Sequence, residues 1–334
     1  MINKKGVNYR DISWNNLHKD ETVMITYENL SRYPQIFKNL TGVTVAEFDE
    51  LLAKVTPVWL EKEYTRLNRA DRQRAIGGGG HYKLELRERL LLTLVWLRLY
   101  LNTLALGYFF GISASTVSRN TRNVLAALRQ VGEATLGWPE PPRHGAGKSI
   151  EQALQEYPEL WALIDATEQP VRRPQDTDSQ KAHYSGKKKR HTRKTQLIVN
   201  EYGQIRDVSR STPGSPHDLN HFRQSGAAFR IPKEVTAGGD AGYQGLQDEL
   251  PEHSVLTPFK ASKHHPLTIE EKLLNQEFSR LRIVVENAIC QLKHFKALAD
   301  CFRHPLSLYD DTFRAVVAIV NPRIARRLSL VTVA

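Results

Sequence analysis

In the N-terminal part of the chain, apolar residues recur at helical intervals. Over residues 44–60, Val45, Phe48, Leu51, Leu52 and Val55 form one stripe, and Thr44 and Glu47 have capping-box spacing. Pro57 is expected to close or kink this helix. The run Gly77-Gly78-Gly79-Gly80 reads as a break, without the Lys-Ser/Thr that a phosphate loop requires. A strongly apolar helix follows over residues 84–100. Residues 101–131 then have helix-turn-helix form: a short helix to Phe110, Gly111 for the left-handed residue after it, and Ser113 as the cap of the next. In that second helix Val117, Thr121, Val124, Leu125 and Leu128 share the inward face. Ser115, Thr116, Arg119, Asn120 and Asn123 are left for a surface that can reach phosphates and base edges in a major groove.

Residues 132–148 (GEATLGWPEPPRHGAGK) have no apolar period and are rich in Gly and Pro, which places a linker at 136–149. Beyond it the pattern becomes strands and helices in alternation. An apolar strand over 160–166 carries Asp165 at its end. Strands over 195–200 and 204–209 are joined by Glu201-Tyr202-Gly203 as a hairpin, and 216–224 reads as a short helix. A strand over 234–239 delivers Asp240, 254–258 is another short strand, and helices cover 269–299 and 308–328. This order, with acids at two strand ends and a third on a late helix, is that of a ribonuclease H-like α/β domain: a mixed sheet flanked by helices, preceded by an α-helical domain. The division is 1–135 for the helical region, 136–149 for the linker and 150–334 for the α/β domain.

Composition narrows the class. With 40% hydrophobic and 25% charged residues the 334-residue chain is an ordinary globular protein. No apolar run approaches the ~18 residues that span a bilayer, the N-terminus has no signal-peptide core, and two cysteines are too few for a thiolate metal site. The expected compartment is the cytoplasm. A net charge of +11 and a pI of about 9.6 suit a polyanionic partner. Residues 181–194 hold seven Lys or Arg and no acid, and they nominate Lys187, Lys188, Lys189, Arg190, Arg193 and Lys194 as phosphate contacts.

The acids suggest the chemistry. In-line displacement at phosphorus is served by two Mg²⁺ ions, which prefer a few carboxylates together with water and phosphate oxygens. Asp165 follows Trp161-Ala162-Leu163-Ile164, an expensive place for a charge unless a cation or solvent meets it, and Asp240 repeats the arrangement before Ala241-Gly242-Tyr243, where Gly242 permits a tight turn. Arg282, Glu286 and Lys293 fall within about 40° of one another on a helix at ~100° per residue. By itself that face favours an exposed i,i+4 ion pair over a metal ligand. His217 and His221 have the spacing of a metal pair but no third ligand nearby, and Asp218 stands as a reserve acid.

Together these segments resemble the DDE transposases of the insertion sequence five family, related to the PIF/Harbinger transposases. The matching pieces are Ile164–Pro170, Tyr184–Thr192, Pro213–Asp218, Gly239–Tyr243 and Arg282–Glu286 with Lys293, within about residues 40–327. The resemblance implies Asp165, Asp240 and Glu286 as catalytic metal ligands for two Mg²⁺ ions, with Mn²⁺ as a substitute. It implies Arg282 and Lys293 as DNA contacts from the family's Y-R-E-K signature, whose tyrosine position holds Ser279 in this chain. The 46 positions between Asp240 and Glu286 leave no room for a large inserted domain. The implied activity is cleavage at terminal inverted repeats and joining to target DNA, by a homodimer or larger assembly on double-stranded DNA, nucleoid-associated when bound and with no membrane partner. The rival readings are a catalytically silent DNA-binding regulator and a stand-alone metal-dependent endonuclease.

Overall fold

The computed structural model describes residues 24–70, 82–138, 161–262 and 266–332, with side chains to residue 327. The expected glycine break at 77–80 and linker residues 139–149 lie outside the described residues. The chain divides into two compact units, residues 1–124 and 125–334.

In the first unit six helices are described: α1 (Tyr27–Ser31), α2 (Pro34–Thr41), α3 (Val45–Leu67), α4 (Leu86–Leu99), α5 (Thr103–Phe109) and α6 (Ala114–Glu133), the last continuing past Val124. The capping box at the start of α3 is formed in both directions: Thr44 Oγ1 accepts from Glu47 N at 3.2 Å, and Glu47 Oε2 accepts from Thr44 N at 2.8 Å. Pro57 does not end α3, which runs on to Leu67. A proline removes one backbone donor, and the loss is local because the helix is anchored on both sides of it by buried Val55 and Trp59. Residues Arg89–Leu97 of α4 are buried on all sides, as suits a helix enclosed by its neighbours. The turn between α5 and α6 follows the expected chemistry. Gly111 has φ 63°, and Ser113 Oγ accepts from Thr116 N at 3.2 Å.

The second unit is built on a mixed sheet, with seven strands among the described residues. Its elements are β1 (Trp161–Pro170), α7 (Thr177–His183), β2 (Tyr184–Ser185), β3 (Arg190–Val199), β4 (Ile205–Val208), β5 (Thr212–Pro213), α8 (Asp218–Ser225), β6 (Thr236–Gly239), α9 (Leu246–Glu249), β7 (Val255–Leu256), α10 (Ile269–Lys293), α11 (Lys296–Ala299) and α12 (Tyr309–Thr332). The central path runs β2-β3-β1-β6-β7, with β4 and β5 on β3. β1 is antiparallel to β3 and parallel to β6, and β6 is parallel to β7. This is the expected mixed sheet flanked by helices.

Successive strand residues face opposite sides. Ala162 and Ile164 of β1 join Ile198, Phe222, Ala237, Tyr243 and Leu246 in the core on one face. On the other, a side chain at Gly238 would meet the Phe278 ring of α10 at 2.9 Å and Leu163 at 3.3 Å, which places Leu163 and Gly238 on the α10 side. Two strands extend well beyond expectation. β1 continues to Pro170, because β3 pairs with it as far as Thr192 after β6 has ended. β3 begins at Arg190, so the end of the basic run is strand rather than loop. The helix over 269–299 is interrupted at His294 and Phe295.

Candidate active site

Ile164 and Gly239 are register partners in the parallel β1–β6 pair, and the residue after each is an aspartate. Alternation from Leu163 and Gly238 carries Asp165 and Asp240 to the α10 side of the sheet. Asp165 stands in the middle of β1, not at its end, but it lies just where β6 stops covering the strand. Asp240 terminates β6 and caps the turn Ala241–Tyr243, its Oδ1 accepting from Gly242 N at 2.8 Å. Gly242 is required here for space rather than for a special turn. A Cβ on it would lie 2.8 Å from Asp218 Oδ2 and 2.9 Å from Asp240 Oδ1.

α10 brings Arg282 and Glu286 over these acids. The Arg282 Nη2 atom is 3.3 Å from Glu286 Oε1 and 4.0 Å from both Asp165 Oδ2 and Asp240 Oδ2. Three carboxylates thus surround one guanidinium. Burial pushes the Asp165 carboxyl up to about 6, and Asp240 and Asp218 add to the rise, against the Ala166 N–H and Arg282. Buried Tyr243 behind the site is raised well above its ordinary value by burial and by the three aspartates. Beside the acids a cavity of about 170 Å³ is lined by Asp165, Glu168, Lys187, Lys188, Asp218, Glu286 and Lys293. Burial, then Lys188, holds the Lys293 ammonium below its usual range, as expected for a base facing another base across a cleft.

The expected three-carboxylate centre is present as a neighbourhood, not as a closed ligand set. Among the described residues no group of three or more His, Cys, Asp or Glu is drawn together tightly enough to hold a metal ion. The acids are spaced around a guanidinium, which is larger than a bare cation. Their chemistry nonetheless fits a hard divalent ion: every donor is oxygen, and Asp165 is a desolvated carboxyl that accepts from Ala166 N at 2.7 Å. The His217–His221 spacing does not make a metal pair. His221 is buried with Nε2 2.8 Å from Ser209 Oγ and Nδ1 2.7 Å from Thr212 Oγ1, and burial lowers it to about 4.

The basic run splits in two. Lys187, Lys188, Lys189 and Arg190 are exposed in or beside the turn before β3, and the first two line the cavity. Lys194 is buried, pairing with Asp218 at 2.7 Å and Glu168 at 3.8 Å. Arg193 donates to Ser211 Oγ and Ser211 O, both at 2.8 Å, and its guanidinium lies over the Tyr309 ring. Neither is free to meet a phosphate: Lys194 is buried in its ion pairs, and half-buried Arg193 is held by Ser211 and the Tyr309 ring. Asn120 is corrected for a similar reason. It is buried against α4, donating to Arg89 O at 3.2 Å, whereas Ser115, Arg119 and Asn123 are exposed and Thr116 is half-buried. Exposed Arg122, one turn beyond Ser118 on the same outer face, was not singled out from the sequence, although helical spacing from Ser115 marks it. Glu168 was likewise missed as a site residue. Its partnership with Lys194 follows from the β1–β3 register, which pairs the two directly.

Comparison with known proteins bears on this arrangement. Residues 164–321, which span all three acids, match the family model of the DDE superfamily endonuclease, and residues 82–134 match that of the helix-turn-helix of DDE superfamily endonuclease. Both matched regions are thus those of DDE superfamily endonucleases. It is also 29% identical over 291 residues to a probable transposase for insertion sequence element IS702 of Microchaete diplosiphon, covering 86% of this chain and 94% of that one. DDE superfamily endonucleases are divalent-metal-dependent enzymes, and in this chain the matched helix-turn-helix precedes the matched endonuclease region. Among the described residues no helix is long and apolar enough to cross a membrane.

Proposed function

We propose that this DDE endonuclease is the transposase of an insertion sequence, cutting the element's ends and joining them to target DNA. The observation that carries the reading is the Ile164–Gly239 pairing, which sets Asp165 beside Asp240 under Glu286. These three acids would hold the divalent ions, Mg²⁺ with Mn²⁺ as substitute. Two such ions, when bound, stabilise the attacking and leaving oxygens of an in-line displacement. Water attacks the phosphodiester at the element's end, the bond to the freed 3′-oxygen breaks, and that oxygen takes a proton. The 3′-hydroxyl then attacks a target phosphodiester, and the displaced target 3′-oxygen leaves in turn.

Around this centre Lys187, Lys188 and Lys293 line a cavity beside the acids and neutralise strand phosphates, with Lys189 and Arg190 extending the basic surface. Arg282 stands where positive charge is needed in the resting protein, and it engages the DNA strand once cations take the carboxylates. The region to residue 135 reads the terminal inverted repeats through Ser115, Thr116, Arg119 and Asn123, and residues 150–334 form the catalytic part. Two ends must be joined, so a homodimer or larger assembly on double-stranded DNA is the working form, in the cytoplasm and on the nucleoid. The position of Arg282 among the acids is the observation that favours the silent-regulator reading.

The test is an assay with paired inverted-repeat ends, Mg²⁺ and a target plasmid. Joined products support transposition. Cleavage without joining assigns an endonuclease, and binding without cleavage assigns a regulator. Strand transfer by Asp240→Asn at the wild-type rate would sink the metal site.

A further inference from the structure

Beside α6 the first unit contains a cavity of about 420 Å³, large enough for a phosphate with its flanking sugar, lined in part by Arg66, Tyr82, Lys83, Arg89, Arg119 and Asn120. Four of these six are basic. Arg66 is already engaged, donating to both carboxylate oxygens of Glu63 at 3.1 and 2.8 Å. Arg89 is different. It is 8% exposed, Nε donates to Leu84 O at 2.9 Å, and the guanidinium lies 3.8 Å from the Tyr82 ring centre and 5.2 Å from that of Trp59. Among the described residues no carboxylate comes within ion-pair distance of it. An arginine desolvated and stacked on aromatic rings has its fork fixed in advance, which is the state in which it grips a phosphate bidentately. Burial disfavours the Arg89 charge more than nearby Tyr82 and Glu63 favour it, and a bound anion would offset the remainder.

We infer that this cavity is a phosphate pocket that takes one backbone phosphate of duplex DNA, with Arg89 as its floor and Lys83 and Arg119 at its rim. The choice of a DNA phosphate over a free one rests on position. The wall of the pocket is α6 itself: Arg119 and Asn123 line it and also belong to the exposed face assigned above to groove reading. Asn120 ties the two parts together through its bond to Arg89 O. The pocket therefore anchors the phosphate backbone while α6 reads bases, and its contribution is independent of sequence. This inference rests on the helix-turn-helix reading given above.

The test uses the full chain, binding a random-sequence duplex and an inverted-repeat duplex between about 50 and 200 mM salt. Arg89→Gln is expected to raise Kd about tenfold on both duplexes alike and to flatten the plot of log K against log salt by about 0.9. Lys83→Ala, at an exposed side chain, is expected to flatten the slope in the same direction and decides the matter if Arg89→Gln does not fold. Slopes unchanged in both variants, or a loss confined to the repeat duplex, overturn the pocket. Wild-type binding of inorganic phosphate or dAMP that Arg89→Gln abolishes, with duplex slopes unchanged, assigns it to a free phosphate and also overturns it. Ser115→Ala, at an exposed residue of α6 outside the pocket lining, reports separately on the underlying reading. If it leaves the preference for repeat over random duplex intact, groove reading by α6 fails, whatever Arg89 does.

Discussion

Gly239 and Tyr243 are packed so closely that a methyl group on the glycine would lie 2.6 Å from the tyrosine Cβ and 2.7 Å from its ring. Tyr243 is fully buried and Gly239 is paired with Ile164, so neither side can give way cheaply. Gly239→Ala is expected to cost about 1–3 kcal/mol by overpacking and to shift Asp240 from its place beside Asp165. Urea denaturation would measure the first. A cleavage rate that falls further than the folded fraction would reveal the second, and a wild-type rate would show that Asp240 tolerates the shift.

Asp165 and Asp240 face one guanidinium together, so their loss separates chemistry from folding. Asp165→Asn removes a desolvated charge that its neighbours oppose, and Asp240→Asn relieves the same repulsion. Both are expected to abolish cleavage by at least about 100-fold, with thermal stability unchanged or raised in the absence of cation. A drop in melting temperature for either would mean that the acid serves the fold.

The raised Asp165 group also sets a pH dependence. Its folded value of about 6 lies above the ordinary 3.8, so its carboxylate form is disfavoured in the metal-free fold. Metal-free stability therefore falls as pH rises from 3.8 through 6, and a divalent cation that binds the ionised form is expected to restore it. Magnesium should raise the melting temperature at pH 7 and have little effect at pH 5. The Asp165→Asn variant should lose the difference.

His221 works in the opposite sense. Its folded value of about 4 lies below the ordinary 6.5 because of burial first and Lys194 second. The stability it confers as a neutral ring is complete above about 6.5 and is lost as pH falls through 4. For a difference of this size the loss is on the order of 3 kcal/mol. Urea midpoints between pH 4 and 7 should therefore fall less steeply in a folded His221→Gln variant.

Lys194 is the buried partner of Asp218 and Glu168. Lys194→Met leaves two carboxylates without their counter-charge and is expected to destabilise by about 3 kcal/mol, discounted for the partial exposure of Asp218. Adding Asp218→Asn should recover part of that loss in a double-mutant cycle. A single variant as stable as the wild type would show that the pair contributes nothing net.

Much of this molecule is written locally. The capping box at Thr44 and Glu47, the Gly111–Ser113 turn and the apolar stripe of α6 depend on neighbours within a few positions, so sequence alone determined the helix-turn-helix and its place in the chain. The order of the acids, each delivered by a strand or a late helix, likewise foretold the mixed sheet and the residues that meet on it. Tertiary structure decided which charges face outward. Lys194 and Arg193 read as part of one basic run with Lys187–Arg190, yet the β1–β3 register sets Lys194 opposite Glu168, and Arg193 is held by Ser211 and the Tyr309 ring. Asn120 is buried because α4 packs against that side of α6. The spacing of the acids around Arg282 was also beyond sequence, since it joins β1, β6 and α10. Local patterns depend on chain neighbours a turn or a strand away. Burial and charge pairing depend on residues well separated in the chain, such as Lys194 and Asp218, 24 positions apart, or Asn120 and Arg89, 31 apart, and only folding brings those together.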